Sequence, residues 1–354
     1  MNTKPFFFDL DLDSLKAELK NLGLPEFRAK QLFQAFYVDL VPSIEEVTTL
    51  SKEMRQKLSE KMDFSRLKPL ESYLSTDIET TKTLFGLIDG RAIETVMMHY
   101  DERQTLCISS QAGCAMGCVF CATGQMGFAR NLTSGEIVEQ VMVYARDLKN
   151  NGQNVTNVVI MGMGEPFNNY DAVMAAVDLL NDPLALNLGA RRITISTVGL
   201  VPQILRFAAE KRQVNLAISL HAANDELRTS LLPVGRKYPL YELMQACREY
   251  IDLTHRRLTF EWALIQDVND QDKDAYELVK LLKGMICHVN LIQLNPTRRY
   301  RGKTPSHERA LAFQSVLVEN GIPCTVRLRR GIDIHAGCGQ LASYQRKSEK
   351  TDVI

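Results

Sequence analysis

Hydrophobic positions change period twice along the chain. Residues 11–22 carry Leu at helical spacing before Gly23, residues 25–37 open on Pro25, and residues 43–62 hold one or two more helices with Ser43 and Ser51 as candidate caps. Period-two patterns follow at 81–88 and 92–99, and Asp89-Gly90 between them marks a hairpin. A further short strand is expected at 106–110. From there strand patterns at 155–161, 192–197, 214–220, 258–264, 288–294 and 323–328 alternate with helical patterns at 134–148, 170–180, 202–211, 240–253, 274–283 and 306–320. Strand–helix alternation predicts a parallel sheet, and at this count a barrel or partial barrel. The expected organisation is a helical module over 1–66, a β-hairpin linker over 67–104, a βα core over 105–342, and a polar, frayed tail over 343–354.

Composition narrows the setting. The chain has 354 residues, with Lys+Arg and Asp+Glu both at 42, so any contact with nucleic acid must come from local patches. Eight cysteines in a chain this long, with no apolar leader at Met1–Asp9, point away from a disulfide scaffold and toward a reducing cytoplasm. No stretch has the length of a membrane span, so no membrane partner is expected.

Three of the cysteines stand together in Cys114-Ala115-Met116-Gly117-Cys118-Val119-Phe120-Cys121. Three thiolates on one short loop hold three irons of a cubane cluster and leave the fourth open, whereas a fully protein-held cluster takes four. A structural zinc knuckle shows two ligand pairs, and no second pair lies nearby. The run resembles the signature of the radical S-adenosylmethionine (SAM) enzymes, including the aromatic Phe120. The resemblance implies a [4Fe–4S] cluster on Cys114, Cys118 and Cys121, with SAM chelating the open iron.

In a βα barrel the site lies at the carboxyl ends of the strands. The unusual residues fall there repeatedly: Gly162-Met163-Gly164-Glu165-Pro166, Ser196-Thr197-Val198-Gly199, Ser219-Leu220-His221 and Asn295-Pro296. Each alone reads as an ordinary turn or a satisfied polar residue. Together they offer SAM acceptors for its amino group at Gly164 and Glu165. Ser196, Ser219, His221 and Asn295 offer partners for its ribose and carboxylate. Glycine admits close backbone approach to the cofactor.

Cys247, Cys287 and Cys324 lie among apolar neighbours and read as packing residues. Cys107, on a strand, reads the same way from its position. Cys338, flanked by Gly337 and Gly339 in a loop expected to be flexible, reads as functional. Arg298, Arg299, Arg301 and Lys303 crowd one loop, and Arg327, Arg329 and Arg330 precede Gly331; a solvated loop and an RNA-binding patch are the two readings.

The runs Leu106-Cys107 through Cys114, Gly162–Pro166, Ile195–Gly199, Ser219–His221, Val289–Ile292 with Asn295-Pro296, and Cys338–Leu341 resemble the radical SAM RNA adenine methyltransferases. The resemblance covers nearly the whole chain. It implies an α/β fold, a partial (β/α)6 barrel of the radical SAM type, with a small N-terminal helical domain. It also implies methylation of adenine C2 in 23S rRNA, in the peptidyl-transferase region, and in tRNA, 3′ to the anticodon. By the same resemblance Cys338 is the methyl-carrying cysteine, Cys107 resolves the RNA adduct through a transient Cys107–Cys338 disulfide, and Glu94 accepts a proton. The SAM contacts would be Gly164, Glu165, Ser196, Ser219, Leu220, His221 and Asn295, with two SAM used per turnover. An electron donor such as flavodoxin or ferredoxin and a monomeric state are expected. Adenine C8 methylation by the antibiotic-resistance sister group is the alternative, although Glu165-Pro166 looks like the C2 group. A non-catalytic, metal-stabilised RNA-binding module is the alternative of another class.

Overall fold

The computed structural model describes residues 4–342. The expected tail at 343–354 lies outside the described residues. The N-terminal part holds α1 (Leu12–Asn21), α2 (Arg28–Phe33) and α3 (Lys52–Lys61). Asp11 caps α1 by accepting from Ser14 N at 2.7 Å, and Ser51 caps α3 by accepting from Met54 N at 3.2 Å. A single π-helical turn, Gln34–Val38, extends α2. Phe7, Phe8, Phe33, Phe36 and Tyr37 are buried and stack edge-on or tilted with centroids 4.8–6.1 Å apart.

The strands are β1 (Leu67–Leu74), β2 (Thr80–Leu87), β3 (Ala92–Tyr100), β4 (Arg103–Cys107), β5 (Gln111–Gly113), β6 (Phe128–Asn131), β7 (Asn157–Ile160), β8 (Ile193–Thr197), β9 (Asn215–Ser219), β10 (Leu258–Leu264), β11 (Cys287–Gln293) and β12 (Cys324–Val326). Ten of them form one sheet in the order β1-β2-β3-β4-β7-β8-β9-β10-β11-β12, and β5 pairs with β6 apart from it. The first four strands are antiparallel and the seven from β4 to β12 are parallel. The helices in and after the cysteine loop are α4 (Ala122–Met126), α5 (Ser134–Asn150), α6 (Tyr170–Asn181), α7 (Val201–Glu210), α8 (Asp225–Leu231), α9 (Leu240–Thr254), α10 (Asp272–Leu282) and α11 (His307–Glu319).

All seven parallel strands expected from the sequence are present, with ends shifted by a few residues. The first shifts most: pairing with β3 draws it upstream, so residues 108–110 leave the strand and turn toward the cysteine loop. The hairpin strands β1–β3 continue the parallel sheet as an antiparallel wing. The short β5–β6 pair and α8 were not expected; each is too short to show a period.

The helical module is welded to the core rather than tethered. Asp9 Oδ1 accepts from Gly135 N at 2.6 Å and Ser134 Oγ at 3.1 Å at the start of α5. A Cβ on Gly135 would lie 2.6 Å from the Phe6 ring. At the other end Glu139 accepts from Ser65 Oγ, Arg66 N and Leu67 N at 2.6–3.0 Å, which fixes the chain entering β1.

Candidate active site

One cavity of about 390 Å³ opens over the carboxyl ends of the parallel strands. It is lined by Cys114, Cys118 and Cys121 of the loop after β4–β5, and by Cys107 and Cys338. Gly164, Glu165, Ser196, Ser219, His221 and Asn295 complete the expected set around it. Glu94 and Leu220 do not line it. Leu220 is fully buried in the core, its N–H donating to Glu261 O at 3.0 Å and its carbonyl accepting from Ala222 N at 2.9 Å.

The cysteine loop is shaped by its glycines and by its neighbours. Gly113 has φ +76° and sits so close to Gly127 that a Cβ would lie 2.0 Å from that carbonyl oxygen; Cys114 N donates to the same oxygen at 2.9 Å. Burial pushes the Cys114 thiol up to about 12, and pushes Cys118 well above its usual range. The three sulfurs share one neighbourhood, since Cys114, Cys118 and Cys121 all line the same cavity. Among the described residues no three His, Cys, Asp or Glu side chains converge as ligands of a single ion. Zinc requires such convergence, with Zn–S near 2.3 Å. Three thiols lining one cavity are the donor set that a cluster with one open iron takes, and metal coordination would draw off their protons.

Glu165 is buried, and its carboxylate accepts from Phe167 N and Val198 N, both at 2.9 Å. Burial outweighs these bonds and pushes it up to about 7. The Thr197 hydroxyl also bonds the carboxylate, which leaves one of its four lone pairs for a ligand N–H. Gly164, at φ +106°, presses on Gln111, whose Cβ would be 2.6 Å from an added methyl. The missing side chain makes room for Gln111 within the protein, while Gly164 itself lines the cavity. Ser196 and Ser219 lie on adjacent strands with their hydroxyls 3.4 Å apart. His221, at φ +60°, accepts from Ala263 N at Nδ1, 2.9 Å away, which leaves its proton on Nε2. Burial, with Arg228 second, depresses His221 to about 3, so it is a neutral donor.

Cys338 lies on a strap that is pinned, contrary to the flexible loop expected. Gly339 O accepts from Ala122 N at 2.7 Å, Leu341 O from Thr123 Oγ1 at 2.6 Å, and Cys338 O from Asn295 Nδ2 at 3.1 Å. Asn295 Oδ1 accepts from Arg329 Nε at 3.3 Å, so both ends of its amide hold the strap. The antiparallel wing grips the other side. Asp333 accepts from Thr76 N and Oγ1 at 2.8 Å each, Lys82 Nζ reaches His335 O at 3.3 Å, and Arg330 pairs with Glu79. Glu94 is buried beside this strap, paired with Lys82 at 2.9 Å and accepting from Ala342 N at 2.8 Å. It extends the row Val96, Met98 and Tyr100 that lines the cavity. Burial raises its carboxyl against the pull of Lys82.

The Cys338 thiol is solvent-accessible within the concavity. The surrounding protein, and then the Glu261 carboxylate, push it up to about 11. Burial and the facing Cys338 push Cys107 up to about 12. Arg327 pulls both thiols down. Glu261, on β10 in register with Ser219, is a residue that sequence reasoning missed. It is buried, lines the cavity, and accepts from Asn290 Nδ2 at 2.9 Å. Its signal was a lone carboxylate inside the apolar run Leu258–Leu264.

A partial barrel of parallel strands with three loop cysteines over their carboxyl ends places the chain in the radical SAM superfamily, whose family model matches residues 108–279. The model of the ribosomal RNA large subunit methyltransferase N-terminal domain matches residues 7–63. The chain belongs to the RlmN family of radical SAM dual-specificity RNA methyltransferases. It is 48% identical to the dual-specificity RNA methyltransferase RlmN 1 of Myxococcus xanthus, over 99% of this chain and 98% of that one. It is 46% identical to the probable dual-specificity RNA methyltransferase RlmN of Thermoanaerobacter sp., over 94% of this chain and 96% of that one. The crystal structure of a radical SAM methyltransferase from Sphaerobacter thermophilus superposes with a TM-score of 0.94 at 50% identity, covering 96% of this chain and all of that one.

Proposed function

We propose that this chain methylates C2 of an adenosine in 23S rRNA and of the adenosine 3′ to the anticodon in tRNA, through an S-methyl group on Cys338. The observation that carries the proposal is the shared cavity: Cys107 and Cys338 come from segments far apart in sequence and meet at the three cluster cysteines. A [4Fe–4S] cluster on Cys114, Cys118 and Cys121, with SAM on its open iron, supplies a 5′-deoxyadenosyl radical when bound.

The detour through a thiol follows from the substrate. Adenine C2 is an electron-poor amidine carbon and does not displace a methyl from a sulfonium. Cys338 does so as a thiolate, and a raised thiol gains that charge only next to cations such as Arg327 and an incoming sulfonium. The pinned strap then holds the carbon against the base, and Glu94, beside the strap rather than in the cavity lining, takes the proton that C2 loses when the new carbon–carbon bond is made. Cys107 attacks the Cys338 sulfur as a thiolate: the S–S bond forms and the C–S bond to the transferred carbon breaks. That carbon leaves with the electron pair and gains a proton to become the methyl, and an external thiol reductant reopens the transient disulfide. Glu165 and the Gly164 carbonyl accept from the SAM amino group; Ser196, Ser219 and the His221 Nε2–H serve its ribose and carboxylate, with the Leu220 backbone and Asn295 at the edge. Two SAM are used per turnover, one for each carbon-handling step. The enzyme works as a cytoplasmic monomer, with flavodoxin or ferredoxin as electron donor. No helix among the described residues is long and apolar enough to cross a membrane.

Mass spectrometry of the Cys338 peptide, after incubation with methyl-deuterated SAM, tests the carrier. A labelled methyl on Cys338, absent in Cys338→Ala while cluster absorbance persists, is the expected result. A label on another residue, or on RNA alone in Cys338→Ala, contradicts it.

A further inference from the structure

Two segments cover the cysteine loop from outside the cavity, and they carry a cationic face that the chemistry above does not use. The turn after α8 packs on the loop: Val119 N donates to Leu231 O at 3.0 Å, and Pro233 Cγ lies 3.8 Å from where a Gly117 Cβ would be. The loop after β11 packs beside it: Gln125 Nε2 donates to Thr297 Oγ1 at 3.2 Å, and Arg299 Nη1 to Gln125 O at 3.0 Å. The Tyr300 ring stands 6.4 Å from that of Phe120, edge-on. Leu231, Leu232, Ile265 and Leu294 close an apolar layer around Cys118 beneath both segments.

The outer surface of these segments presents Arg236, Lys237, Arg298, Arg299, Arg301 and Lys303, all exposed. An exposed acid, Asp267, lies on the adjoining turn, where Gln266 N donates to Lys303 O at 2.9 Å. None of the six cations lines the cavity, whose rim is formed elsewhere by Tyr100, Arg103 and Arg327–Arg330. An RNA base bound for Cys338 must pass that rim. The two segments instead pack on the cysteine loop itself, where Tyr300 meets Phe120 edge-on, and their cations stand outside the cavity lining.

We infer that this face docks an acidic one-electron donor protein. The inference rests on the proposed cluster chemistry. The docked donor gives up a single electron, the cluster takes it, and no bond is made or broken. Complementary charge here steers encounter and raises the association rate by ~10- to 1000-fold at low salt.

Reduced flavodoxin is the probe, and stopped-flow bleaching of the reconstituted cluster is the readout. In R298E/R299E/R301E/K303E the second-order rate with flavodoxin is expected to fall by ~10-fold or more and to lose its salt dependence. The rate with dithionite and the affinity for an rRNA fragment stay unchanged. R236E/K237E, on the other segment, lowers the flavodoxin rate in the same direction, which separates docking from local misfolding of one loop. Fluorescence anisotropy with labelled flavodoxin reads the same loss of binding in cluster-free protein. An unchanged flavodoxin rate, or a fall in RNA affinity in its place, overturns the inference. Failure of the wild-type protein to assemble a cluster would sink the proposed function instead, and the anisotropy arm would still decide the docking.

Discussion

At Glu165, the proposed contact of the SAM amino group, burial sets the charge of a single side chain. Its carboxyl sits near 7 because burial disfavours the charge more than two backbone N–H groups and the Thr197 hydroxyl favour it. An ionised carboxylate accepts from an amino N–H better than a neutral acid does. Below about 7 Glu165 is protonated and above it charged, so SAM affinity rises as pH climbs through that value. Glu165→Gln loses one charge-assisted bond, worth about 1.5–3 kcal/mol, or roughly 10- to 150-fold in affinity. Calorimetric titration with SAM at pH 6 and pH 8 checks both effects. A Gln variant that binds as tightly as the parent, with no pH dependence in either, would remove Glu165 from the cofactor site. His221 differs: depressed to about 3 and bonded by Ala263 N, it stays a neutral Nε2–H donor across that range.

The elements divide the labour between holding and anchoring. The aromatic cluster that joins the helical module to α5 is fully buried at Phe7. Phe7→Ala is expected to cost about 3–5 kcal/mol, read from denaturant unfolding of the whole chain. The antiparallel wing holds the Cys338 strap through Thr76–Asp333 and Lys82. In T76A/D333A, hydrogen exchange over residues 331–341 should rise while the parallel strands keep their protection. Equal exchange in both regions would show that the wing anchors nothing.

These anchors also mark what the sequence did and did not disclose. The three-cysteine run, Asp89-Gly90 and the parallel strands were legible because each is a local pattern. Glu94 was named only through a resemblance, since on its strand it passes for an ordinary residue. Its partner Lys82 and the cavity-facing Glu261 were missed. Their meaning depends on which strand lies beside which, and no local period encodes that. The pinned Cys338 strap was misread as flexible for a related reason. Glycines signal conformational freedom, while the bonds that remove it come from residues as distant as Thr76, Thr123 and Asn295.

At the scale of the whole molecule, a chain with no net charge still gathers its cations into local groups. Arginines ring the cavity mouth, and a second group stands on the segments that pack on the cysteine loop. In the reaction proposed above, the pinned strap, the wing that grips it and the five cysteines around one cavity would act as a single device for moving one carbon to a base. Nucleoside mass spectrometry of separated 23S rRNA and tRNA, from a deletion strain complemented with the parent chain or with Cys338→Ala, tests that most directly. The account predicts 2-methyladenosine in both RNAs with the parent chain and in neither with Cys338→Ala. 2-Methyladenosine that persists with Cys338→Ala, or 8-methyladenosine that appears in its place with the parent chain, would contradict it.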